Sequence, residues 1–503
     1  MNMYCVTVHD KETTHALPAQ EGQNLLDLLR SQGFPISAPC GGKGSCGKCK
    51  VTLADGTQVL ACGTRVSQDI EIWLPSFEGS GLTDFSQQKF VQGGSYIGAA
   101  LDIGTTTLAA ALTDCATGKV LATEAILNPQ QVCGADVISR IVACGEGKLE
   151  LQSRLVREAA AKLLHKLMEK TGTEQIAYLT VCANTTMLHI FCGEDPTPIG
   201  SAPYTPVFTE MRTYSGDALG LPVGQVYVLP SASGYIGADV ICGVLTLDTN
   251  ADPWLLADLG TNGELALCRD GSILCASTAA GPALEGANIE CGLGGVPGAV
   301  CAVTWEYNGL NIRTIGDRPA TGICGSGLVD LIALLVRHGV IDETGCFDDF
   351  CEHPLAQKLD DDRFYLTDSI WLSQKDVRQF QLAKAAIHAG ITTLCTSAGL
   401  SPRDVRKLYI AGGLGFYLRE ESALGGLDSL EHIKANLGVL GPHAEIHLTR
   451  LFNRGDQGLG AGNLRKESVQ SVQLQLLHAL APPRSCTMEG STSPLVKSVS
   501  GWR

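Results

Sequence analysis

The stretch Leu101-Asp102-Ile103-Gly104-Thr105-Thr106-Thr107 decides the fold, because its core returns later as Leu256-Ala257-Asp258-Leu259-Gly260-Thr261-Asn262-Gly263-Glu264. Each copy is an apolar run ending in Asp, a Gly-Thr turn, and a second apolar run, Leu108 to Leu112 or Leu265 to Cys268. A further turn follows in both places, Asp114-Cys115-Ala116-Thr117-Gly118 or Arg269-Asp270-Gly271. The pattern predicts two strands joined by a tight hairpin, twice. Glycine lets backbone N–H groups approach an anion, threonine hydroxyls and amides suit phosphate oxygens, and an Asp at a strand end can hold a hydrated Mg2+. Two such hairpins facing each other would clamp one polyphosphate.

The pairing resembles the two phosphate loops of the superfamily that contains acetate and sugar kinases, heat-shock chaperone ATPases and actin. That superfamily implies a third element, a strand running into a Gly-Gly turn beside the adenosine, and Leu408-Tyr409-Ile410-Ala411-Gly412-Gly413 matches it. The resemblance makes Asp102 and Asp258 catalytic candidates and Gly104, Thr105, Thr106, Gly260, Thr261, Asn262, Gly412 and Gly413 nucleotide-binding candidates. It implies a two-lobed, duplicated ribonuclease H-like fold, with ATP and Mg2+ as ligands. No Gly-x4-Gly-Lys-Ser/Thr stretch competes as a P-loop.

Composition bounds the rest. A chain of 503 residues with 45% hydrophobic content supports about three domains with large cores. Its net charge of −15 argues against a nucleic-acid partner. No apolar run of about 18 residues is present, and Met1 to Asp10 lacks a signal-peptide pattern, so no membrane partner and a cytoplasmic location are expected. The twenty cysteines, scattered in apolar segments such as Val181-Cys182 and Ile241-Cys242, read as buried thiols of a reducing compartment.

Residues 1–75 form a unit of their own. Tyr4 to Val8 alternates as a strand; Gln23 to Gln32 places Leu25, Leu26, Leu28 and Leu29 on one helical face; Lys50 to Leu53 and Val59 to Ala61 flank Asp55-Gly56-Thr57; Ile70 to Leu74 closes the segment. Strand, helix and hairpin in that order suit a small α+β domain of the β-grasp type. Cys40, Cys46, Cys49 and Cys62 follow a C-x5-C-x2-C-x12-C spacing, three of them on one glycine-rich loop. Four thiolates so placed suit a 2Fe-2S cluster, whereas a zinc ribbon would show two paired C-x2-C knuckles. Cys5 lies outside the loop and reads as a strand residue facing the core. This segment resembles adrenodoxin-like and plant-type ferredoxins.

Residues 76–97 are rich in Gly, Ser and Gln and read as a flexible linker. At ~5 to 6 Å times the square root of residue number, such a segment spans roughly 25 Å. The first ATPase lobe is expected over 98–250, with a long helix Leu149 to Lys170, a strand Ile176 to Val181, His189 as a packing or capping residue, and Asp239 as a candidate for orienting water or a hydrated metal. The second lobe is expected over 251–465. There Thr321 to Leu328 is a glycine turn opening a helix, making Gly325 a candidate for phosphate or ribose. Ser373-Gln374-Lys375-Asp376 is a capping box ahead of the stripe Val377, Phe380, Ala383, Ile387, Ile391 and Leu394. Residues 466–503 read as a helix and a Ser-rich disordered tail.

The joint pattern adds Leu127-Asn128-Pro129-Gln130, Gly134-Ala135-Asp136-Val137-Ile138-Ser139-Arg140-Ile141, Asn184-Thr185-Thr186-Met187-Leu188-His189 and Gly281-Pro282-Ala283-Leu284-Glu285-Gly286-Ala287. It resembles the ATP-dependent reductive activators of corrinoid proteins. The resemblance implies one-electron reduction of Co(II) to Co(I) on a separate corrinoid protein or corrinoid-dependent methyltransferase, an uphill step coupled to ATP, with an upstream electron donor. A homodimer is compatible with this reading. The chain departs from the family pattern in having only 76–97 where members carry a folded linker domain, and in its Ser-rich end. Alternatives are an ATP-dependent electron donor to another metalloenzyme, a small-molecule kinase with a fused ferredoxin, and a scaffold without ATPase activity.

Overall fold

The computed structural model describes residues 2–10, 13–32, 34, 36, 42, 44, 49–74, 96–134, 136–247, 253–260, 262–307 and 309–412, and the backbone of 445–448 and 497–499. The expected linker, apart from Tyr96 and Ile97, lies outside these residues, as do Cys40, Cys46, Thr261 and Gly413. The chain falls into two compact bodies, one ending at Gly237 and the other opening at Ala238.

At the amino end, strands β1 (Met3–His9) and β2 (Thr14–Gln20), helix α1 (Leu25–Ser31), and strands β3 (Lys50–Leu53), β4 (Gln58–Leu60) and β5 (Ile70–Trp73) form one mixed sheet in the order β2-β1-β5-β3-β4. β1 is antiparallel to β2 and parallel to β5, the β-grasp arrangement. Alternation assigns Val6 and Val8 to the core. The same alternation corrects the expectation for Cys5: it sits in β1 as expected, but on the opposite face, exposed, with its N–H donated to Asp69 Oδ1 at 2.8 Å. α1 starts at the N-cap Asn24, whose side chain accepts from the Leu26 and Asp27 amides, and its four leucines are buried. Each contributes roughly 1.5–3 kcal/mol of burial free energy.

The first large sheet contains β6 (Ile97–Ile103), β7 (Thr107–Asp114), β8 (Lys119–Leu127) and, after helices α2 (Val137–Ala143) and α3 (Leu149–Thr171), β9 (Ile176–Ala183). Helix α4 (Thr185–Cys192), β10 (Arg212–Ser215), the short α5 (Gly216–Leu219) and β11 (Val223–Val228) complete it, in the order β10-β11-β9-β6-β7-β8. The hairpins are antiparallel, while β6 runs parallel to β9 and β9 to β11. β6 is central, so Ala99, Ala100, Leu101 and Ile103 are all buried. α3 lays Val156, Ala160, Leu163, Leu164 and Leu167 on the sheet and ends at Gly172 in the left-handed region, φ 66°.

The second body repeats the plan. Helix α6 (Ala238–Leu245) comes first, followed by β12 (Trp254–Leu259), β13 (Gly263–Arg269) and β14 (Ser272–Thr278). A three-stranded insert follows: β15 (Ala299–Glu306), β16 (Gly309–Thr314) and β17 (Gly322–Ile323). Then come α7 (Gly325–Arg337), the small sheet β18 (Leu359–Asp360), β19 (Arg363–Thr367) and β20 (Ile370–Ser373), α8 (Gln374–Ser397), β21 (Lys407–Ala411), β22 (Glu445–Leu448) and β23 (Lys497–Val499). The main sheet order is β22-β21-β12-β13-β14-β23, with β12 parallel to β21 and β21 to β22. Both sheets therefore contain a third-second-first-fourth-fifth strand order, the ribonuclease H-like pattern duplicated in one chain. β23 lies in the tail expected to be disordered; it fills the outer edge of β14, where open backbone donors and acceptors favour a short strand. α6 joins this body because Gly243 sits so close to Leu256 that a Cβ there would lie 2.8 Å from Leu256 Cδ2.

The capping box ahead of α8 is reciprocal, Ser373 with the Asp376 amide and Asp376 with the Ser373 amide, and all six expected stripe residues are buried. Asp376 also accepts the Glu290 N–H at 2.9 Å, anchoring the 281–292 segment to α8.

Candidate functional site

The cysteine loop is built around Cys62. Cys62 directs its N–H at Cys49 Sγ, 3.4 Å away, and the Ala61 N–H donates to the Cys49 carbonyl at 2.7 Å, so two of the four thiols are brought together by the β3–β4 hairpin. Asn24, the cap of α1, donates to the Cys62 carbonyl at 2.8 Å. Gly42 passes overhead at φ 88°, where a Cβ would lie 3.2 Å from Leu26 Cδ2 and 3.9 Å from Cys62 Cβ. An amide aimed at a cysteine sulfur and a positive-φ glycine passing beside the second cysteine suit what an iron-sulfur cluster needs from its loop. Cys40 and Cys46 lie outside the described residues.

The first glycine-threonine loop has all its carbonyls tied inward. Asn128 Nδ2 donates to Gly104 O at 2.8 Å, Arg140 to Thr105 O at 2.5 Å, and both the Asn128 N–H (2.8 Å) and Gln131 Nε2 (3.2 Å) to Thr106 O. In a trans peptide the C=O and the following N–H point in opposite directions, so the amides of Thr105 and Thr106 face away from this bracket. Neither amide meets a protein acceptor among the described residues. The result is a pair of adjacent donors that could serve an anion. Asn184, the N-cap of α4, reaches Thr105 Oγ1 at 3.4 Å. Asp102 stands at the end of β6, opposite Ala109 and beside Cys182.

In the second loop the Gly260 N–H donates to Asn262 O at 2.9 Å, as the Gly104 N–H does to Thr107 O at 2.9 Å in the first. Asp258 lies directly across the hairpin from Glu264, a like-charge pair that repels unless a cation or proton intervenes. Burial, then the carboxylates of Asp239 and Asp258, push the Glu264 carboxyl well above its usual range, and burial raises Asp239 as well. Among the described residues, however, no group of three or more His, Cys, Asp or Glu side chains is placed to hold a metal ion directly. Asp239, Asp258 and Glu264 are thus gathered in one body. Gly412, at φ 84°, lies where a Cβ would be 2.5 Å from Asp258 Oδ1, so the third element abuts the second loop. Glu285 approaches from the 281–287 segment, 3.0 Å from a Cβ built on Gly260.

Two further positions, Gly325 and His189, sit among packed neighbours. Gly325 opens α7 behind Cys324, and the first-turn side chains turn into β15: Ser326 donates to Cys301 O at 2.9 Å and Cys324 to Val300 O at 3.2 Å. A Cβ on Gly327 would meet Val300 O at 2.1 Å, so helix packing by itself demands that glycine. His189 is structural as expected: its Nδ1–H donates to Thr185 O at 2.7 Å, its Nε2 accepts the Val207 N–H at 3.0 Å, and burial holds its pKa down. Sequence reading assigned no role to Glu264, Glu285, Asn128 or Arg140. Glu264 was detectable, since it sits opposite Asp258 when the turn is centred on Gly260 to Asn262.

A β-grasp cysteine loop ahead of a duplicated actin- and sugar-kinase-type fold defines an iron-sulfur protein with a nucleotide-binding body. Family models match in the same order: the 2Fe-2S iron-sulfur cluster binding domain over residues 8–68, the RACo middle region over 97–252, and the C-terminal ASKHA domain of RACo over 252–430. The corrinoid activation enzyme RamQ of Eubacterium limosum is 30% identical, over 81% of this chain and 86% of its own length. A [Co(II) methylated amine-specific corrinoid protein] reductase of Methanosarcina barkeri is 26% identical over 65% of this chain and 64% of its own. A solved reductive activator for corrinoid,iron-sulfur protein superposes with a TM-score of 0.57 at 26% identity, covering 86% of this chain and 92% of that one. The chain belongs to the RACo family of reductive activators of corrinoid proteins.

Proposed function

We propose that this protein reactivates a corrinoid protein or corrinoid-dependent methyltransferase by reducing its Co(II) to Co(I) at the expense of ATP. The observation that carries this is the fusion, in one chain of the RACo family, of a cysteine loop with a duplicated phosphate-loop fold. A 2Fe-2S cluster on Cys40, Cys46, Cys49 and Cys62 supplies the single electron that the cobalt substrate accepts. Thr105 and Thr106 offer amides to phosphate, aided by Gly104; Gly260, Thr261 and Asn262 do the same from the second loop; Gly412 and Gly413 border the adenosine, with Gly325 a further nucleotide contact. Asp102, Asp258 and Asp239 orient hydrated Mg2+ and the attacking water. ATP drives the uphill step if the partner binds the nucleotide-loaded form more tightly, since only differential affinity can shift the equilibrium. The partner carries the corrinoid, because no Asp-x-His-x-x-Gly signature is present here. An upstream donor reloads the electron, in the cytoplasm.

The test mixes the pre-reduced protein with Co(II) corrinoid proteins and follows Co(I) formation optically with and without Mg-ATP. Nucleotide-dependent Co(I) is expected. Equal reduction without ATP, or by Asp102→Ala, would leave a simple ferredoxin; intact ATPase with no corrinoid reduced would point to another acceptor metalloenzyme.

A further inference from the structure

Arg140 on α2 is among the largest side chains with no exposed surface, at 0%. Its guanidinium makes four contacts: Nη2 with Thr105 O at 2.5 Å, Nε with Gly134 O at 3.1 Å, and Nη1 with Gln130 Oε1 at 3.2 Å and Met187 Sδ at 3.1 Å. All four acceptors are neutral. Among the described residues no carboxylate hydrogen-bonds to it; Asp136, which caps α2 by accepting the Ser139 N–H at 2.7 Å, favours its charge only through space. Burial lowers its pKa to about 10, which leaves it charged at neutral pH. A buried charge without a hydrogen-bonded ion-pair partner is costly, and a fold that needed only a tie at this point could use a neutral donor such as the neighbouring Asn128 or Gln131.

The direction of the Thr105–Thr106 peptide gives the charge a use. With its carbonyl on Arg140, the Thr106 N–H points away from the guanidinium, to the other side of the loop. We propose that Arg140 is the positioning residue of the first phosphate loop, fixing the Thr106 N–H toward a nucleotide polyphosphate and placing a buried positive charge behind that peptide. The inference rests on the nucleotide reading above. It assigns Arg140 no contact with ATP. Its effect falls on the phosphates and spares the nucleoside.

Two variants separate charge and geometry from simple support. Arg140→Met removes both. Gln130→Glu keeps the tie to Thr105 but gives the guanidinium an internal counter-ion, at the cost of the Gln130 Nε2 bond to Gln152 O; a purely structural arginine would be served as well or better. Binding of Mg-ATP and of adenosine to the full-length chain is measured by calorimetry at low salt, with the visible iron-sulfur spectrum as a check on integrity. Loss of a charge-assisted bond predicts at least about tenfold weaker Mg-ATP binding in Arg140→Met. Gln130→Glu is expected to weaken it several-fold, with adenosine affinity unchanged in both, and Arg140→Lys to recover part of the loss. If Arg140→Met does not fold, Gln130→Glu decides alone. Wild-type Mg-ATP affinity in Gln130→Glu, or a parallel loss of adenosine binding, overturns the assignment. Absence of Mg-ATP binding in the unmodified chain overturns the nucleotide reading and this inference together.

Discussion

Gly412→Ala would place a methyl carbon 2.5 Å from Asp258 Oδ1, 2.7 Å from Leu259 O and 3.0 Å from Leu259 N. Two of those three atoms are backbone and cannot rotate away, so either the Asp258 carboxylate swings or β21 separates from β12. The residue also sits at φ 84°, where a side chain costs roughly 1–2 kcal/mol. Overpacking adds about 1–3 kcal/mol. Gly172→Ala is the control: φ is 66° but nothing lies within 4 Å of the new carbon, so only the conformational cost applies. A chain of several domains does not melt in one step, so local hydrogen exchange on β12 and β21 is the better stability readout. A displacement of about 1 Å at the carboxylate proposed to orient the metal can cost on the order of a hundredfold in rate. Gly412→Ala is therefore expected to weaken Mg-ATP binding at least about tenfold by calorimetry and to speed exchange in β12 and β21. Gly172→Ala should leave both unchanged. Wild-type Mg-ATP affinity with unaltered exchange in Gly412→Ala would refute the argument that the third element is braced against Asp258.

Cys62→Ala should abolish the visible absorption and the reduced-state EPR signal, whereas Cys5→Ala, on the exposed face of β1, should be silent; full iron content in Cys62→Ala would remove the cluster assignment. Asp258→Asn should lower Mg-ATP affinity and hydrolysis without unfolding the chain, and unchanged values of both would count against the metal role proposed for it. Burial pushes the Asp330 carboxyl up to about 7. Because the folded value lies above the unfolded one, its stabilising contribution is complete below about pH 4 and is lost as pH rises through about 7. Three units correspond to at most roughly 4 kcal/mol, and to about half that for a group only partly enclosed. Asp330→Asn should therefore raise thermal stability at pH 8 and leave it unchanged at pH 4; an equal effect at both would show that the carboxyl titrates normally.

Local pattern carried much of this protein. The duplicated Asp-x-Gly-Thr turns, the alternation in β1, the leucines of α1 and the capping box of α8 are short-range features, set by strand and helix periodicity and by what a turn or cap demands of its own residues. The spacing of Cys40, Cys46, Cys49 and Cys62 is likewise a sequence property, and of these the structure shows Cys49 and Cys62 side by side. What the chain's order could not express is what meets across it. Strand order in each sheet follows from which strands return alongside β6 and β12, a choice made by long-range packing. The facing of Glu264 toward Asp258, the arrival of Asp239 from α6 and of Gly412 from β21, and the bracing of the Thr105 carbonyl by a residue 35 positions away are likewise products of the closed sheet. Charge and burial at these places depend on neighbours distant in sequence, so the same letters, Asp, Glu and Arg, become a repelling pair, a buried acid and a buried cation only once the tertiary structure has brought them together.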